Sequence, residues 1–223
     1  MIDRPPTQDT KPIGVLGGSF DPIHVGHIQF AADAMRQLDL AQVRLVPAGL
    51  AWQKGPAAEA MHRANMIELA IANEPRFMLD RSELARPGPS FTVDTLRQLR
   101  QQVGATRPLV LLVGADQLER LDTWHDWEEL IELAHLGVAQ RPGHAGALGP
   151  ALARWRDQHL GSSADASRRP AGTVVPVAMK PVDCSSTQIR AALHGAAAQG
   201  AALLSTHLAP AVLAYIRQHR LYS

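Results

Sequence analysis

The stretch that decides the fold is IGVLGGSFDPIHVGH, residues 13–27. Its first four residues are apolar, which favours a strand covered on both faces. Gly17 and Gly18 follow, and Asp21-Pro22 is then typical of a helix start, with Asp as N-cap and Pro at the first helical position. A strand, a glycine turn and a helix in this order bring backbone N–H groups close to a phosphate.

Two histidines lie at the start of this helix. His24 and His27 are three residues apart, so their side chains project from neighbouring places on one surface, and Gly26 between them keeps that surface low. Ordinary helix residues are one alternative. Metal ligation is another, but a third ligand at zincin-like spacing is missing. The spacing is neither G-x-G-x-x-G nor a P-loop, and the glycine turn favours a phosphate site.

Short apolar runs alternate with helical patterns along the rest of the chain. Strands are predicted at residues 13–16, 43–46, 77–79, 109–113, 136–139 and 173–177. Helices are predicted at residues 22–38, 60–72, 92–102, 127–134, 187–194 and 209–218. This alternation predicts an α/β fold, a Rossmann-like, doubly wound parallel sheet in a single domain with a flexible insertion.

The domain is expected to span residues 12–223, after a loose N-terminal tail at 1–11. Residues 143–172 are rich in Gly, Ala, Ser and Arg and are expected to form a variable insertion. Within it, residues 151–159 are compatible with a short helix, and residues 161–172 are predicted to be a surface loop.

The composition excludes several classes of protein. The chain has 223 residues, a net charge of +1 and a single cysteine, Cys184. No apolar run approaches the ~18 residues of a membrane helix, and the charge gives no case for bulk binding to nucleic acid or membrane. One cysteine and an N-terminus unlike a signal peptide predict a cytoplasmic protein. The oligomeric state is left open, with a homo-oligomer among the possibilities.

A second anion site is predicted where Ser185, Ser186 and Thr187 precede a helix that carries Arg190. Hydroxyls, N–H groups and a guanidinium at one helix N-terminus suit phosphate. The alternative is a plain N-cap with a surface arginine.

Other candidates follow the remaining strands. Gly114 and Asp116 end the strongest strand, where a carboxylate suits ribose hydroxyls, a metal or a helix cap. Trp124 is predicted to stack on a flat ring while Trp127 packs in the core. The further candidates are Phe91 and Thr92 in a Gly-Pro-Ser-Phe-Thr turn, His125 beside Trp124, and two phosphate contacts, Lys54 and Arg141.

These residues supply anion donors and stacking groups but no nucleophile–base pair. Transfer of a nucleotidyl group to a phosphate suits such a set, because the attacking phosphate oxygen is already anionic and pyrophosphate is a competent leaving group once its charge is screened. The enzyme then has to align the reactants and stabilise charge on the α-phosphate.

Several of these motifs resemble those of a known protein family. GGSFDPIHVGH (17–27) resembles the H-x-G-H motif of the nucleotidyltransferase superfamily related to class I aminoacyl-tRNA synthetases, and SSTQIR (185–190) resembles its second signature. Three further stretches are similar to bacterial nicotinate-nucleotide adenylyltransferases: SELARPGPSFTVDTL (82–96), LVGADQLERLDTWHDWEEL (112–130) and AQRPG (139–143). The similarity extends to AYIRQHRLY (214–222).

The resemblance implies an enzyme that joins nicotinate mononucleotide and ATP with Mg²⁺, giving nicotinate adenine dinucleotide and pyrophosphate in NAD synthesis, with no metal held by the protein itself. It implies that His24, His27 and Arg190 are catalytic. ATP would be bound by Gly17, Gly18, Ser19, Phe20, Gly26, Gly114, Asp116, Ser185, Ser186 and Thr187. Nicotinate mononucleotide would be bound by Lys54, Phe91, Thr92, Trp124, His125 and Arg141. Two positions depart from the family pattern, Gln53 in place of the usual His and Cys184 in place of the usual Ile.

Several alternatives remain at this stage. The acceptor could be nicotinamide mononucleotide or phosphopantetheine, or the chain could be a cytidylyltransferase, although the Trp-His-Asp-Trp block favours a pyridine ring. A nucleotide sensor without turnover is a further class, and an oxidoreductase is disfavoured by the missing dinucleotide fingerprint.

Overall fold

The computed structural model describes residues 10–50, 58–140, 148–180, 182–195 and 198–222, with the side chains of residues 198 and 199 excepted. Six strands are present in this part of the chain: β1 (Ile13–Gly18), β2 (Gln42–Pro47), β3 (Phe77–Leu79), β4 (Leu109–Val113), β5 (His135–Gln140) and β6 (Val174–Ala178). The helices are α1 (Val25–Gln37), α2 (Ala60–Ile71), α3 (Thr92–Val103), α4 (Ala115–Leu118), α5 (Leu130–Leu133), α6 (Pro150–His159), α7 (Ser163–Arg168), α8 (Ser186–His194), α9 (Ala198–His207) and α10 (Pro210–Gln218).

The strands form one parallel sheet in the order β3-β2-β1-β4-β5-β6. The chain therefore winds outward from β1 to β3, returns to the middle and winds outward again from β4 to β6. This confirms the doubly wound α/β prediction. In such a sheet the crevice for ligands lies outside the carboxyl ends of the two central strands, where the winding direction changes. Here those strands are β1 and β4.

Each face of the sheet is covered by its own apolar core. On one face, buried residues of α1, α2, α8 and α10 pack against alternate strand residues such as Leu16, Val43 and Leu112. On the other face, α3, α5 and α6 pack against the intervening residues, including Val15 and Leu111. Burial on both faces explains why the strands read as nearly continuous apolar runs.

The helix after β1 begins later than predicted. It starts at Val25, and its N-cap is His24, whose side chain accepts a hydrogen bond from the backbone N–H of Gly26. The prediction that Asp21 caps the helix with Pro22 at its first position is therefore wrong, because an imidazole nitrogen takes the cap role. The carboxylate of Asp21 is instead buried and used by distant residues.

The segment after β5 is more ordered than its composition indicates. The expected short helix is present as α6, but the predicted surface loop contains α7, whose N-cap Ser162 forms a reciprocal capping box with Asp165. Leu152 of α6 and Ala166 of α7 are buried. The loop prediction is wrong there because a capping box and one buried alanine stabilise a helix that lacks an apolar stripe.

Within the described residues, no helix is both long enough and apolar enough to span a bilayer.

His135, the first residue of β5, is fully buried, and its Nε2 bonds the carbonyl oxygen of Arg169 just after α7 at 2.8 Å. Its Nδ1 has no hydrogen-bond partner among the described residues. Because a carbonyl only accepts, Nε2 carries the proton and the ring is neutral. Burial lowers the pKa of His135 below its ordinary 6.5.

The free energy of unfolding should therefore fall as the pH drops below about 6.5, because the unfolded chain then binds a proton that the folded chain excludes. His135→Gln keeps a donor for the Arg169 carbonyl but cannot titrate. It should remove a slope of up to about 1.4 kcal/mol per pH unit from this acid limb, measured by urea unfolding between pH 4.5 and 8. His207→Gln, on α9, is the control. An unchanged acid limb in His135→Gln would contradict the assignment.

Candidate active site

A cleft opens at the carboxyl ends of β1, β2 and β4, the place that the topology indicates. Five predicted site residues line it: Gly17, Gly18, Ser19, Thr92 and Trp124. Its walls also contain Ala48, Glu83, Ser90, Thr95 and Gln117. The structure therefore brings the loop after β1 together with the start of α3 and the aromatic loop that follows α4.

The two histidines lie at the start of α1, just after the loop that follows β1. Neither is among the residues that line this cleft, and His24 is buried. Their ring centroids are 3.8 Å apart. The Nδ1 of His24 accepts the backbone N–H of Gly26, and the Nδ1 of His27 accepts the backbone N–H of His24, each at 3.2 Å. Since both Nδ1 atoms act as acceptors, each neutral ring carries its proton on Nε2. An Nε2–H group has the donor polarity that a phosphate requires.

Gly26 has a local reason to be glycine. A Cβ at this position would lie 3.1 Å from two atoms of the His24 ring, a tight contact. A larger residue would push the imidazole that caps α1. The predicted close approach of a ligand at Gly26 is therefore not the only reason for the glycine.

Phe20 is part of the scaffold. Its side chain is 1% exposed, its φ is +49°, and its ring meets the His27 ring edge-on at a centroid distance of 5.0 Å. Only its backbone is placed to contact a ligand. The ring of Phe20 instead packs against the ring of His27 and fixes its orientation.

A fully buried arginine holds the cleft loops in place. The guanidinium of Arg63, on α2, donates to the carbonyls of Ser19 at 2.7 Å, Ala48 at 2.6 Å and Gly49 at 3.3 Å, and its Nε donates to Ala58 at 3.1 Å. The loops after β1 and β2 are thus bound to one side chain. Burial lowers the pKa of Arg63, while the charges of Asp21, Tyr222 and Glu83 oppose that shift.

Asp21 is a second buried residue that hydrogen-bonds distant parts of the chain. Its Oδ1 accepts the backbone N–H of Ala58 at 3.1 Å and the hydroxyl of Tyr222 at 2.6 Å. Its carbonyl oxygen accepts Nη1 of Arg190 at 2.6 Å, and Nη1 stands 3.8 Å from Oδ2. Asp21 therefore connects the loop after β1 to α8 and to the end of the chain.

The second anion motif is close to the first, as predicted, but its hydroxyls serve the fold. Ser185 is the N-cap of α8 and accepts the N–H of Gln188 at 3.2 Å. The hydroxyl of Ser186 donates to the carbonyl of Pro22 at 3.0 Å, which ties α8 to the loop after β1. Thr187 is exposed and lies 3.4 Å from Nη2 of Arg190. The hydroxyls of Ser185 and Ser186 are therefore engaged within the protein, whereas Arg190 donates to the carbonyl of Asp21 at 2.6 Å.

Asp116 lies in the first turn of α4, just past the end of β4. Its side chain is exposed, and a Cβ at Gly114 would stand 2.6 Å from Asp116 Oδ1, so the carboxylate lies against this glycine. The N-cap of α4 is Gly114, without a side-chain cap. The helix-cap alternative for Asp116 is therefore wrong, and its carboxylate faces solvent at the carboxyl end of β4.

Two of the aromatic candidates, Phe91 and His125, contact each other at the start of α3. The rings of Phe91 and His125 lie 4.3 Å apart at an angle of 31°. Trp124 is half-buried in the cleft wall, whereas Trp127 packs against Trp155 of α6 at 5.2 Å. Both tryptophans are half-buried and pack against the same apolar core, so the assignment of Trp124 to a ligand ring stays a prediction.

An ionic network fixes the loop that carries Trp124 and His125. Arg97 of α3 bonds Asp94 at 3.0 Å, Asp126 at 3.2 Å and both carboxylate oxygens of Glu129. These bonds, above all that to Glu129, raise the pKa of Arg97. The carboxylate of Asp126 therefore bonds α3, and it also lies 3.5 Å from Nε2 of His125.

A buried carboxyl lies in the cleft wall, and sequence reasoning missed it. Glu83 is 7% exposed and accepts the hydroxyl of Thr95 at 2.5 Å, while the hydroxyl of Ser90 accepts the N–H of Gly49 at 2.9 Å. Burial raises the pKa of Glu83, although hydrogen bonds from Thr95 and Ser90 oppose the shift. Gly49 is required here because its Cβ would lie 2.4 Å from the carbonyl oxygen of Glu83.

The sequence contained a signal for only one of the missed residues. Arg63 precedes Met66 by three residues and Ile67 by four, so all three lie on the same face of α2. A charged residue on an apolar helix face indicates that its side chain is buried and bonded within the protein. Ser90 and Thr92 do not cap α3, whose N-cap is Phe91. Gln53, Lys54 and Arg141 lie outside the described residues.

Across the described part of the chain, no three His, Cys, Asp or Glu side chains converge on a point where a metal ion would bind.

Comparison with known proteins shows the family to which the chain belongs. Residues 15–192 match the cytidylyltransferase-like family. A probable nicotinate-nucleotide adenylyltransferase of Laribacter hongkongensis is 46% identical over 213 residues, covering 94% of each chain. One from Chromobacterium violaceum is 42% identical over 214 residues, covering 94% of this chain and 98% of the relative.

Solved structures agree on the fold. The Plasmodium falciparum nicotinic acid mononucleotide adenylyltransferase complexed with NaAD superposes with a TM-score of 0.71 at 18% identity, covering 95% of this chain and 97% of that one. At that identity the likeness concerns the fold alone. Together, the length and identity of the sequence matches establish that the chain belongs to the cytidylyltransferase-like family and, within it, to the nicotinate-nucleotide adenylyltransferase family.

Proposed function

We propose that this protein transfers the adenylyl group of ATP to nicotinate mononucleotide, releasing pyrophosphate and forming nicotinate adenine dinucleotide. The observation that carries the proposal is the pair of Nε2–H donors on His24 and His27, beside the glycine turn after β1 and near Arg190. The relatives at 42–46% identity are named for this reaction.

The reaction balances without a proton transfer. An anionic oxygen of the acceptor phosphate attacks the α-phosphorus of ATP, and the bond from that phosphorus to the oxygen bridging it to the β-phosphate breaks. The bridging oxygen leaves with the electron pair as part of pyrophosphate. His24 and His27 donate hydrogen bonds to the oxygens that gain charge, and Arg190 holds the β- and γ-phosphates. A general base is not needed, which fits a site whose histidines carry Nε2 protons.

Mg²⁺ enters this scheme as the complex with ATP, where it screens the charge of the leaving pyrophosphate. Asp116 is exposed at the carboxyl end of β4, where it can bond a ribose hydroxyl or a metal-bound water. Gly114 borders the same place.

The acceptor binds in the cleft on the α3 side. Trp124 lies in the wall where a pyridine ring would stack. Phe91 and His125, whose rings lie 4.3 Å apart, are the residues next to Thr92 and Trp124 in the sequence. Thr92, in the first turn of α3, offers a hydroxyl and a backbone N–H to the ring carboxylate. Lys54 and Arg141 complete the proposed phosphate contacts. A single domain over residues 12–223, with 143–172 as a variable insertion, remains part of this proposal.

The activity itself is tested with purified protein, ATP and Mg²⁺, and with nicotinate mononucleotide, nicotinamide mononucleotide and phosphopantetheine as separate acceptors. We expect pyrophosphate release that depends on nicotinate mononucleotide, together with the dinucleotide in equal amount. ATP binding without pyrophosphate release from any acceptor would instead support a nucleotide sensor.

Asparagine variants separate the capping role of the histidines from the catalytic one. Asparagine is a good N-cap, and its side-chain oxygen can replace Nδ1 as the local acceptor. Its amide N–H groups are on a shorter side chain and do not reach the position of Nε2–H. His24→Asn and His27→Asn should each lower kcat about 10²-fold, the effect of losing one transition-state donor, about 3 kcal/mol. Melting temperatures should stay within a few degrees of wild type. A near-normal kcat in His27→Asn would refute the phosphate role.

The choice of acceptor is a separate prediction. A ring carboxylate accepts from Thr92 and from nearby backbone N–H groups, whereas a neutral amide directs its own NH₂ donors at them. Each mismatch costs ~1–3 kcal/mol, so kcat/KM should favour the acid over the amide by roughly 10²-fold. The carboxyl of Glu83 opposes this preference when it is ionised. Burial raises the pKa of Glu83, so a smaller fraction of it is ionised at a given pH than of an exposed glutamate.

Both acceptors are therefore compared at equal Mg²⁺ at pH 6.5 and pH 8.5. Equal kcat/KM values at both pH values, or a preference for the amide, would mean that the ring pocket is wrongly assigned even if adenylyl transfer occurs.

A further inference from the structure

The last residues of the chain fold back toward the candidate active site. After α10, Arg220 and Tyr222 adopt φ values of +50° and +63°, a left-handed conformation that is uncommon for residues other than glycine. The N–H of Leu221 bonds the carbonyl of Ile216 at 3.0 Å. Such a conformation costs free energy and persists where surrounding contacts impose it.

The contact that this turn makes is with the loop after β1. The hydroxyl of Tyr222 donates to Oδ1 of Asp21 at 2.6 Å, a bond between residues 201 positions apart. The Asp21 side chain is almost fully buried, and Tyr222 is half-buried. A hydrogen bond from a phenol to a buried carboxylate is short and strong, and the loss of its donor leaves a charge poorly solvated.

The second partner of Asp21 is the proposed phosphate ligand Arg190. The carbonyl of Asp21 accepts Nη1 of Arg190 at 2.6 Å, whereas Oδ2 of the carboxylate lies 3.8 Å from the same nitrogen, beyond hydrogen-bond reach. Oδ1 already receives two donors, from Ala58 and from Tyr222. The carboxylate is thereby held in a rotamer that leaves Arg190 on the carbonyl and not in a forked ion pair.

We propose that Tyr222 is a positioning residue of the ATP phosphate site, which acts through Asp21 to keep the guanidinium of Arg190 available to the β- and γ-phosphates. Without the phenol hydroxyl, Asp21 replaces the lost donor by pairing directly with Arg190. An arginine whose guanidinium N–H groups bond a buried carboxylate has fewer N–H groups available to bond a phosphate. This inference rests on the proposed function in one respect, the assignment of Arg190 to ATP.

The test is Tyr222→Phe, which removes one hydroxyl and keeps the ring. The affinity for Mg·ATP, measured by titration calorimetry, should fall about tenfold, the lower end of what a hydrogen bond to a charged group contributes. In the steady state, KM for ATP should rise by a similar factor, while KM for nicotinate mononucleotide stays within twofold. A purely structural role would lower the melting temperature without this split.

The chain offers a matched control, because it has only two tyrosines. The hydroxyl of Tyr215, on α10, bonds the side chains of His62 and Asn65, each at 2.9 Å, on α2. Tyr215→Phe removes an equally engaged phenol hydroxyl near the same end of the chain. It should lower the melting temperature and leave ATP affinity within twofold of wild type.

The outcomes are distinguishable. Wild-type ATP affinity in Tyr222→Phe, or equal losses in both tyrosine variants, would overturn the positioning role. A wild-type protein that binds Mg·ATP but transfers nothing to the acceptor overturns the proposed function alone, and the calorimetric comparison still decides the inference. A wild-type protein that binds no Mg·ATP overturns both.

Discussion

The architecture of the site depends on the burial of one positive charge. The guanidinium of Arg63 has no exposed surface, and four backbone carbonyls around it replace its lost hydration. Burying an uncompensated charge is expensive, so this arrangement is stable only when every donor is used. The carbonyl of Ser19 follows β1, and those of Ala48, Gly49 and Ala58 lie between β2 and α2. Ser19 and Ala48 line the cleft. Without the hydrogen bond from Arg63 to Ser19, the loop that follows Gly17 and Gly18 would have fewer contacts to fix its conformation.

Arg63 also connects the two halves of the proposed reaction. Its charge interacts with Asp21 on the ATP side and with Glu83 on the acceptor side. Asp21 orients Arg190 and receives Tyr222, while Glu83 accepts from Thr95 at the start of α3. The phosphate donors and the ring pocket are thus fixed relative to a common buried point. Adenylyl transfer needs this rigidity, since alignment of acceptor and α-phosphate supplies much of its rate.

The sequence was most informative about features that depend on residues close together in the chain. The six strands are short apolar runs, so they could be predicted. The motifs at residues 17–27 and 185–190 combine turn residues with charged or imidazole groups within a few positions, and their phosphate role stays a proposal. The start of α1 could not be predicted, because His24 replaces the expected Asp21 as the cap. Helix α7 was missed because its stability comes from a capping box and from one buried residue, Ala166, with no apolar period of its own.

The buried polar network was also not predictable. Asp21, Glu83 and Tyr222 occupy stretches that read as loop or as a chain end, and their partners lie 12 to 201 residues away. A pattern based on periodicity gives no reason to place a carboxylate in a core. Among these polar residues only Arg63, on the apolar face of α2, carried a local sign of burial.

The central claim is that an acceptor phosphate oxygen attacks the α-phosphorus of ATP. Nicotinate mononucleotide labelled with oxygen-18 in its phosphate tests this claim most directly, with both products analysed by mass spectrometry. The account predicts that all the label remains in the dinucleotide, one labelled atom forming the new bridge, and that the pyrophosphate is unlabelled. Label in the pyrophosphate, or AMP as the product in place of the dinucleotide, would contradict it.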